Sequence, residues 1–478
     1  MNARSFISMG LDIGTTTTQM IVSRLEVSNR SGPTAVAYYD FSKREILFMS
    51  DVVLTPFDSH GDIAVDQIER FVQAQCAKAD IALSDVATGA IIVTGETSKA
   101  RNARETVVAL SERLGDFVVA TAGPNLESVI AGHGSGASAY SKAHAARVLN
   151  IDVGGGTSNF AVFEGGRVVD TACLNVGGRL LEINAHNQVI RAHAPALKVA
   201  ADLWSHDRFP ASLSDDQLHA YAHRLAELVL EVVQGNLSDL AQRLLMTPPL
   251  ERVYRFDAIF ISGGVGACME HPVPNATFGD TGPLLAEHLR QVFEGQGTAL
   301  RTPAQTLRAT VIGASAHTMS LSGSTIWLSF EHLPLRSVPV LACALNWPTT
   351  AEALTKDWLS QARMLDIDVA RDVFALMLPC RVPVTYANVQ SLASQVEHFC
   401  RMQAKQPDWQ AATPLLIVTD ADLGKALGNE LHLMMPERPL AVVDEVQTSE
   451  GDYLDIGRSI FNGQVVPLTV KSLAFPAP

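Results

Sequence analysis

Residues 11–22 read LDIGTTTTQMIV, and residues 151–163 read IDVGGGTSNFAVF. Each stretch runs apolar residue, Asp, apolar residue, Gly, then Thr, Gly or Ser residues, and finally an apolar run. Apolar segments on both sides of a Gly/Thr/Ser tip indicate a β-hairpin. Because the same pattern occurs in two distant parts of the chain, it predicts two related subdomains that face one ligand.

The residue types in these two turns are suited to binding phosphate. Glycine lets backbone N–H groups approach an anion closely, and the Thr and Ser hydroxyls add hydrogen-bond donors. The preceding aspartates, Asp12 and Asp152, would repel a phosphate in direct contact. Each can instead hold a hydrated Mg²⁺, which keeps several waters and takes only one or two carboxylates. The pattern therefore predicts a nucleotide phosphate site with a metal ion.

Composition limits the class of protein. The chain has 478 residues, which favours two to four domains. Hydrophobic residues make up 47% and charged residues 18%, so large buried cores are expected rather than disorder. The net charge of −14 disfavours nonspecific binding to nucleic acid or to anionic membranes.

The cysteines and the apolar runs indicate a cytoplasmic protein. The six cysteines are scattered and form no C-x-x-C pair, which is typical of free thiols in a reducing compartment. The N-terminus lacks the pattern of a signal peptide. No uncharged apolar run reaches the roughly 18 residues of a membrane span. The 14 histidines include no H-E-x-x-H motif.

Helix and strand signals alternate between and beyond the two turns. Residues 63–78 have the spacing of an amphipathic helix, and residues 125–134 form a segment rich in small residues. A long helix is expected from Asp215 through Leu244, ended by Pro248 and Pro249. The apolar strand 257–262 then runs into a third glycine turn, and residues 304–319 predict a second helix of small residues.

After about residue 330 the pattern indicates a separate, small α/β domain. Apolar strands are expected at 373–378, 414–420 and 439–444, with helices near 386–403 and 421–434. Residues 465–470 contain a proline and predict an edge strand. Asp420, Asp422 and Lys425 could form a site at a strand-to-helix junction, although a helix cap with an exposed charge pair is the favoured interpretation.

The order of the motifs resembles the actin, heat-shock chaperone and sugar kinase ATPase superfamily. That order is Asp-Gly-Thr turn, small-residue helix, Asp-Gly-Gly-Gly-Thr turn, long helix, Gly-Gly-x-Gly turn, small-residue helix. The resemblance implies an α/β, actin-like ATPase fold of two related subdomains with a nucleotide cleft. The expected divisions are 1–150, to which helix 304–320 returns, then 151–330, and a C-terminal α/β domain at 331–478.

A closer resemblance, over essentially the whole chain, is to the ethanolamine ammonia-lyase reactivating factor family. Four stretches carry it. They are MGLDIGTTTT at 9–18, TGETSKARNAR at 94–104, ACLNVGGR at 172–179, and GDYLDIG at 451–457 with VKSLAF at 470–475.

This resemblance implies a chaperone-like ATPase. Members act on an adenosylcobalamin enzyme and, with ATP and Mg²⁺, release damaged cobalamin so that intact cofactor can bind. Ethanolamine ammonia-lyase is then the implied partner, with no nucleic-acid or membrane partner, and self-association is left open. The implied location is the cytoplasm, compatible with association with a bacterial microcompartment. The C-terminal domain is the expected partner-binding region.

The resemblance also implies roles for individual residues. Asp12 and Asp152 are expected to hold Mg²⁺ through its waters, and Asp152 is counted as catalytic as well. Glu127, near the start of the first connecting helix, is the favoured catalytic or water-positioning residue, with Asn125 as the alternative. The expected phosphate contacts are Gly14, Thr15, Thr16, Gly154, Gly155, Gly156 and Thr157.

The adenosine contacts implied by the resemblance lie in two segments. Gly263, Gly264 and Val265 are expected to lie against adenosine. Residues 231–238 (EVVQGNLS) resemble the chaperone segment that holds adenine and ribose, with Glu231 and Gln234 at polar contact positions. Gly235 stands where those chaperones carry a basic residue.

Two other functions remain open at the level of sequence. A small-molecule kinase of the same superfamily would need an Asp or Glu base in a pocket between the subdomains. An actin-like scaffold would assemble into filaments in a nucleotide-dependent way.

Overall fold

The structure is a computed structural model, and the residues it describes cover most of the chain. They are residues 4–14, 17–29, 39–58, 62–93, 110, 117–121, 123–206, 208–294, 300–301, 303, 327–329, 335–410, 412–446, 448, 450–456 and 468–472. Thr15, Thr16, the segment 94–104 and the predicted small-residue helix at 304–319 lie outside the described residues.

The first sheet has six strands in the order β3-β2-β1-β5-β6, with the short β4 paired to β2. The β1–β2 and β2–β3 pairs are antiparallel, whereas β1–β5 and β5–β6 are parallel. Helix α1 (Val65–Lys78) packs its apolar side on this sheet. The strands are β1 (Arg4–Ile13), β2 (Thr17–Asn29), β3 (Tyr39–Met49), β4 (Val53–Leu54), β5 (Val86–Val93) and β6 (Phe117–Thr121).

The second sheet repeats the plan of the first. Its order is β13-β12-β7-β8-β9. Strands β7, β8 and β9 pair antiparallel, and β12 and β13 lie parallel on the other side of β7, as in the first sheet. The short strands β10 and β11 form a separate hairpin. The bounds are β7 (Arg147–Val153), β8 (Ser158–Glu164), β9 (Arg167–Leu174), β10 (Leu181–Ile183), β11 (Val189–Ala192), β12 (Ala258–Ser262) and β13 (Leu300–Arg301).

The shared strand order confirms the predicted actin-like α/β fold of two related subdomains. In both sheets the first hairpin carries a Gly/Thr turn, since β1 pairs with β2 and β7 with β8. Each of these hairpins is antiparallel, as the apolar runs on both sides of the turn predicted.

Two helices lead from the first sheet to the second. They are α2 (Pro124–Gly134) and α3 (Ala137–His144), and α2 contacts β7, β8 and β9. A Cβ placed on Gly132 of α2 would collide with the Phe163 ring, so the small residue permits this close packing. The division of domains at residue 150 stays a prediction, but by packing these helices belong with the second sheet.

The predicted long helix is interrupted, which corrects the sequence-based expectation. It ends at Gln234, and Gly235 follows in the left-handed conformation with φ of 68°. Ser238 then caps a short helix. Glycine at this position ends a helix at little steric cost, whereas the apolar spacing on both sides gave no sign of the break. The helices here are α4 (Ala194–Trp204), α5 (Asp215–Gln234), α6 (Asp239–Leu244), α7 (Gly263–Glu270) and α8 (Gly282–Glu294).

The C-terminal sheet has seven strands in the order β14-β18-β17-β16-β15-β19-β20. Strands β15 to β18 are parallel and alternate with helices, and β20 lies at the edge, as predicted. The bounds are β14 (Trp327–Leu328), β15 (Leu335–Leu341), α9 (Ala351–Met364), β16 (Phe374–Met377), α10 (Tyr386–Gln403), β17 (Leu415–Val418), α11 (Gly424–Met434), β18 (Leu440–Val443), β19 (Asp452–Ile456) and β20 (Leu468–Ser472).

Asp420 does not cap helix α11, which corrects that part of the expectation for the strand-to-helix junction. Both oxygens of Asp420 accept from the backbone N–H of Arg381, at 3.3 Å. The N–H of Gly424, at the start of α11, instead donates to Asp444 at 2.9 Å. Among the described residues, no helix is both long and apolar enough to cross a membrane.

Candidate functional site

The two Gly/Thr turns close in the same way. The N–H of Gly14 donates to the carbonyl oxygen of Thr17 at 2.9 Å, and the N–H of Gly154 donates to that of Thr157 at 2.9 Å. In the first turn, the Thr55 hydroxyl also donates to the Gly14 carbonyl at 2.7 Å. The equivalent bond in both hairpins places each aspartate at the same step before its turn.

Asp12 and Asp152 are buried to the same degree, each with 8% of its surface exposed. Asp12 lies opposite Gln19 across its hairpin, and Asp152 lies opposite Asn159. Ser262 Oγ donates to Asp152 Oδ1 at 2.7 Å. Burial raises the pKa of Asp152 to about 6, although the Ser262 hydrogen bond opposes the shift. The protein thus holds this carboxylate where its charge is poorly hydrated, and a cation would stabilise it.

The tip of the second turn is open. Gly155 and Gly156 are exposed, and a Cβ placed on Gly156 would meet no atom within 4 Å. Gly154 and Thr157 are half-buried beside them. Space above a glycine backbone is what an anion needs in order to approach N–H groups.

A turn that sequence reasoning did not assign to the site supports this tip. The N–H of Gly178 donates to the Gly154 carbonyl at 3.0 Å, and the N–H of Arg179 donates to the Gly155 carbonyl at 2.7 Å. A Cβ on Gly177 would lie 2.5 Å from the carbonyl carbon of Gly155. The stretch 172–179 carried part of the family resemblance, but nothing in its composition indicates that it lies under the second turn.

The third glycine run begins a helix rather than forming an extended turn. Gly263 has φ of 84°, and a Cβ there would lie 2.5 Å from the Val153 carbonyl oxygen. Gly264 is exposed, and a Cβ on it would meet no atom within 4 Å. Val265 is buried against Gly178. The structure therefore brings the second Gly/Thr turn, its supporting turn and the start of α7 together.

Glu231 is held in an intramolecular network. Its Oε1 accepts from Arg224 Nη1 at 2.8 Å, and its Oε2 accepts from the N–H and the hydroxyl of Ser238 at 2.8 and 2.6 Å. Burial raises the pKa of Glu231, but the hydrogen bonds from Ser238 and Arg224 outweigh it, so the pKa lies below its usual value. Gln234, at the last position of α5, is exposed.

Glu127 and Asn125 both lie in the first turn of α2. Glu127 is half-buried. The Asn125 side chain is engaged at both ends, because its Oδ1 accepts from Thr171 Oγ1 at 3.0 Å and its Nδ2 donates to Asp366 Oδ1 at 3.0 Å. Of the two candidates for a catalytic role, Asn125 therefore has a structural role.

Within the described ranges, no group of three or more His, Cys, Asp or Glu side chains is placed to hold a metal ion. A single buried carboxylate beside an open glycine tip fits an ion that arrives with a phosphate ligand and keeps its waters.

The likeness to solved structures is distant. An Aquifex aeolicus member of the Ppx/GppA protein family matches 65% of this chain and 97% of that chain, with 15% identity and a TM-score of 0.38. The ethanolamine utilization protein EutJ from Carboxydothermus hydrogenoformans matches 65% of this chain and 89% of that chain, with 15% identity and a TM-score of 0.32.

The likeness in sequence is close and covers the full length. The chain is 48% identical to the ethanolamine ammonia-lyase reactivase EutA of Salmonella typhimurium (strain LT2), over 100% of both chains. It is 47% identical to the protein of the same name from Escherichia coli (strain K12), again over 100% of both chains. The model of the family described as ethanolamine utilisation protein EutA matches residues 4–476. The chain therefore belongs to the EutA family.

Proposed function

We propose that this protein reactivates ethanolamine ammonia-lyase by promoting release of damaged cobalamin, so that intact adenosylcobalamin can bind. The observation that carries the proposal is the identity of 48% with a named reactivase over the whole chain, including the C-terminal domain. The free energy for cobalamin release would come from the binding of ATP and Mg²⁺, which would favour one arrangement of the subdomains over another. The protein would act in the cytoplasm, where a bacterial microcompartment could also hold the lyase.

The proposed nucleotide contacts follow the two turns and the start of α7. Gly14, Thr15 and Thr16 would contact phosphate from the first subdomain, and the tip at 154–157 would do so from the second. Asp12 and Asp152 would orient the waters of Mg²⁺, and the metal would neutralise phosphate charge when bound. The open space above Gly156 and the poorly hydrated Asp152 carboxylate support this assignment.

The adenosine would lie against Gly263, Gly264 and Val265. The exposed Gly264, which leaves room for a flat ring, supports this placement. A ribose contact from Glu231 would have to add to the bonds that Glu231 already makes with Arg224 and Ser238. Gln234 is proposed as a second polar contact from the same helix end.

Glu127 is proposed to position the attacking water, since it lies in the first turn of the helix that connects the subdomains. Positioning and electrostatics account for most of the catalysis in phosphoryl transfer. The C-terminal domain is proposed to contact the lyase. Its deletion is a poor test, because its core includes Leu126 and Ile130 of α2, which the deletion would expose.

The test is recovery of activity by cyanocobalamin-inactivated ethanolamine ammonia-lyase after incubation with this protein, ATP, Mg²⁺ and fresh adenosylcobalamin. Parallel reactions omit ATP or use Asp152→Ala. The matched control is Asp216→Ala, which removes an exposed carboxylate in the first turn of α5. We expect recovery with the wild type and the control, and loss of at least about 90% of it without ATP or with Asp152→Ala.

Recovery that does not require ATP would contradict the nucleotide part of the proposal. Absence of recovery with wild-type protein that binds nucleotide would contradict the reactivase assignment. ATP consumption strictly coupled to an added small molecule would then point to a kinase, and nucleotide-dependent pelleting would point to a scaffold.

A further inference from the structure

The connecting helix α2 has no cap of its own at its N-terminus. The residue before the helix is Gly123, which has no side chain to accept from the first backbone N–H groups, and Pro124 follows it. Such orphan donors are usually satisfied by a Ser, Thr, Asp or Asn at this position. Here the acceptor comes from elsewhere in the chain.

Asp366 of the C-terminal domain is that acceptor. Its Oδ2 accepts from the backbone N–H of Leu126 at 2.7 Å, and its Oδ1 accepts from Asn125 Nδ2 at 3.0 Å. The two residues of the backbone bond are 240 positions apart. A Cβ on Gly123 would lie 2.5 Å from Asp366 Cγ, so a local cap and this carboxylate exclude each other.

Neighbouring contacts fix the same end of α2 to the second sheet. Asn125 Oδ1 accepts from Thr171 Oγ1 of β9 at 3.0 Å. One residue earlier in β9, the fully buried Asp170 accepts from Arg363 Nη2 at 3.0 Å. Arg363 lies in the last turn of α9 and Asp366 lies two residues beyond that helix, so one corner of the C-terminal domain holds α2 and β9 together.

Apolar contacts also join α2 to the C-terminal domain. Leu126 and Ile130 of α2 are buried in the core of the C-terminal domain, together with Leu354 and Trp358 of α9. The first turn of α2 therefore cannot move relative to the second sheet without disturbing the C-terminal domain. Glu127 lies in that turn.

We propose that Asp366 is a positioning residue for ATP hydrolysis: from the C-terminal domain it fixes the first turn of α2 and so the carboxylate of Glu127. The inference rests on the proposed nucleotide function. Under this proposal, the rate of hydrolysis depends on the position of the C-terminal domain, which is the domain proposed to contact the lyase. A partner that shifts this domain would thereby change the hydrolysis rate.

The experiment compares Asp366→Ala with the wild type and with Asp408→Ala. Asp408 is an exposed carboxylate of the same domain that pairs with Arg371 at 2.9 Å and makes no bond to α2. Hydrogen exchange of the amides at 125–128 and the kcat, KM and nucleotide Kd of ATP hydrolysis are measured. For Asp366→Ala we expect about tenfold faster exchange. We also expect a roughly tenfold lower kcat, with KM and Kd within about twofold.

A rescue variant separates positioning from a general loss of fold. With Asp366 truncated, the space beside Gly123 opens, so Gly123→Ser in the Asp366→Ala background supplies a local cap. We expect this double variant to regain slow exchange at 125–128 and most of the lost kcat. Gly123→Ser in the wild-type background should instead disturb the cap and speed exchange at 125–128, because its side chain would collide with Asp366.

Unchanged exchange and kcat in Asp366→Ala would overturn the inference. So would a fall in kcat that the double variant does not reverse although exchange is restored. If the wild type hydrolyses no ATP, the proposed nucleotide function fails, and the kinetic role of Asp366 fails with it. The exchange data then still decide whether Asp366 fixes the turn.

Discussion

Asp152 shows how the burial of one carboxylate makes stability depend on pH. It is buried, it accepts one hydrogen bond from Ser262, and burial raises its pKa to about 6. The folded protein therefore binds a proton more tightly at this site than the unfolded chain does. Stability from this group is highest in acid and falls as the pH rises from about 4 through about 6. Above that range the folded state carries an ionised, poorly hydrated carboxylate.

We predict that Asp152→Asn is more stable than the wild type at about pH 7.5, by about 1–3 kcal/mol. The amide keeps an oxygen for the Ser262 bond but carries no charge to bury. The difference should shrink as the pH falls towards 4. Urea unfolding at several pH values measures it, with the exposed Asp216→Asn as the control. A less stable Asn variant at neutral pH would show that burial of the charge is compensated within the protein.

At the scale of elements, the second Gly/Thr turn is supported by the neighbouring turn at residues 177–179. Gly177 lies against the backbone of Gly155, and Gly178 and Arg179 donate to the turn. Gly178 also lies against Val265 and Gly282, at the starts of α7 and α8. The geometry of the proposed phosphate site thus depends on glycines that would contact no ligand themselves.

Gly177→Ala should lower nucleotide affinity by roughly tenfold and stability by about 1–3 kcal/mol, because its Cβ pushes the backbone of Gly155. The matched variant is Gly156→Ala, whose Cβ enters open space. It should leave stability unchanged but weaken nucleotide binding if phosphate occupies that space. Calorimetric titration and thermal unfolding measure both. If both variants bind nucleotide with wild-type affinity, the second Gly/Thr turn does not contact the phosphate.

The connecting helix α2 links the three sheets. It follows the last strand of the first sheet, packs on the second sheet, and contributes Leu126 and Ile130 to the C-terminal core. A helix buried on several sides must be made of small and apolar residues, which explains the unusual composition of this segment. Because Asp366 caps this helix, the position of its N-terminus is tied to the C-terminal domain.

At the scale of the whole molecule, a buried ion pair joins the second subdomain to the C-terminal domain. Asp170 is fully buried and accepts hydrogen bonds from the N–H of Glu251 at 2.6 Å, from the Tyr254 hydroxyl at 2.9 Å and from Arg363 at 3.0 Å. Arg363 also pairs with Glu251 at 3.2 Å. These bonds, and the shared core, imply that the two units unfold together.

Arg363→Met should destabilise the protein by about 3 kcal/mol, because it leaves the Asp170 carboxylate buried without its cationic partner. The control is Arg371→Met, which removes an exposed arginine that pairs with Asp368 and Asp408. We expect one calorimetric transition for the second subdomain and the C-terminal domain in the wild type, and separate transitions in Arg363→Met. Two transitions in the wild type would mean that the domains are independent.

The sequence by itself determined the two hairpins with their Asp and Gly/Thr turns, the duplicated subdomains and the alternating strands and helices of the C-terminal domain. Hydrophobic periodicity and turn residues are local signals, and here local preference and final structure agree. The same signals failed at Gly235, where the apolar spacing continues although the helix ends.

Only the tertiary structure decided how the site is supported. The contact of Gly177 with Gly155, the bond from Ser262 to Asp152 and the cap that Asp366 supplies to α2 all join residues far apart in the chain. Their formation depends on the packing of whole sheets and helices, which no short window of sequence encodes. Asp366 could not be recognised as a cap from its neighbours, because the N–H groups that it satisfies belong to a helix 240 residues away.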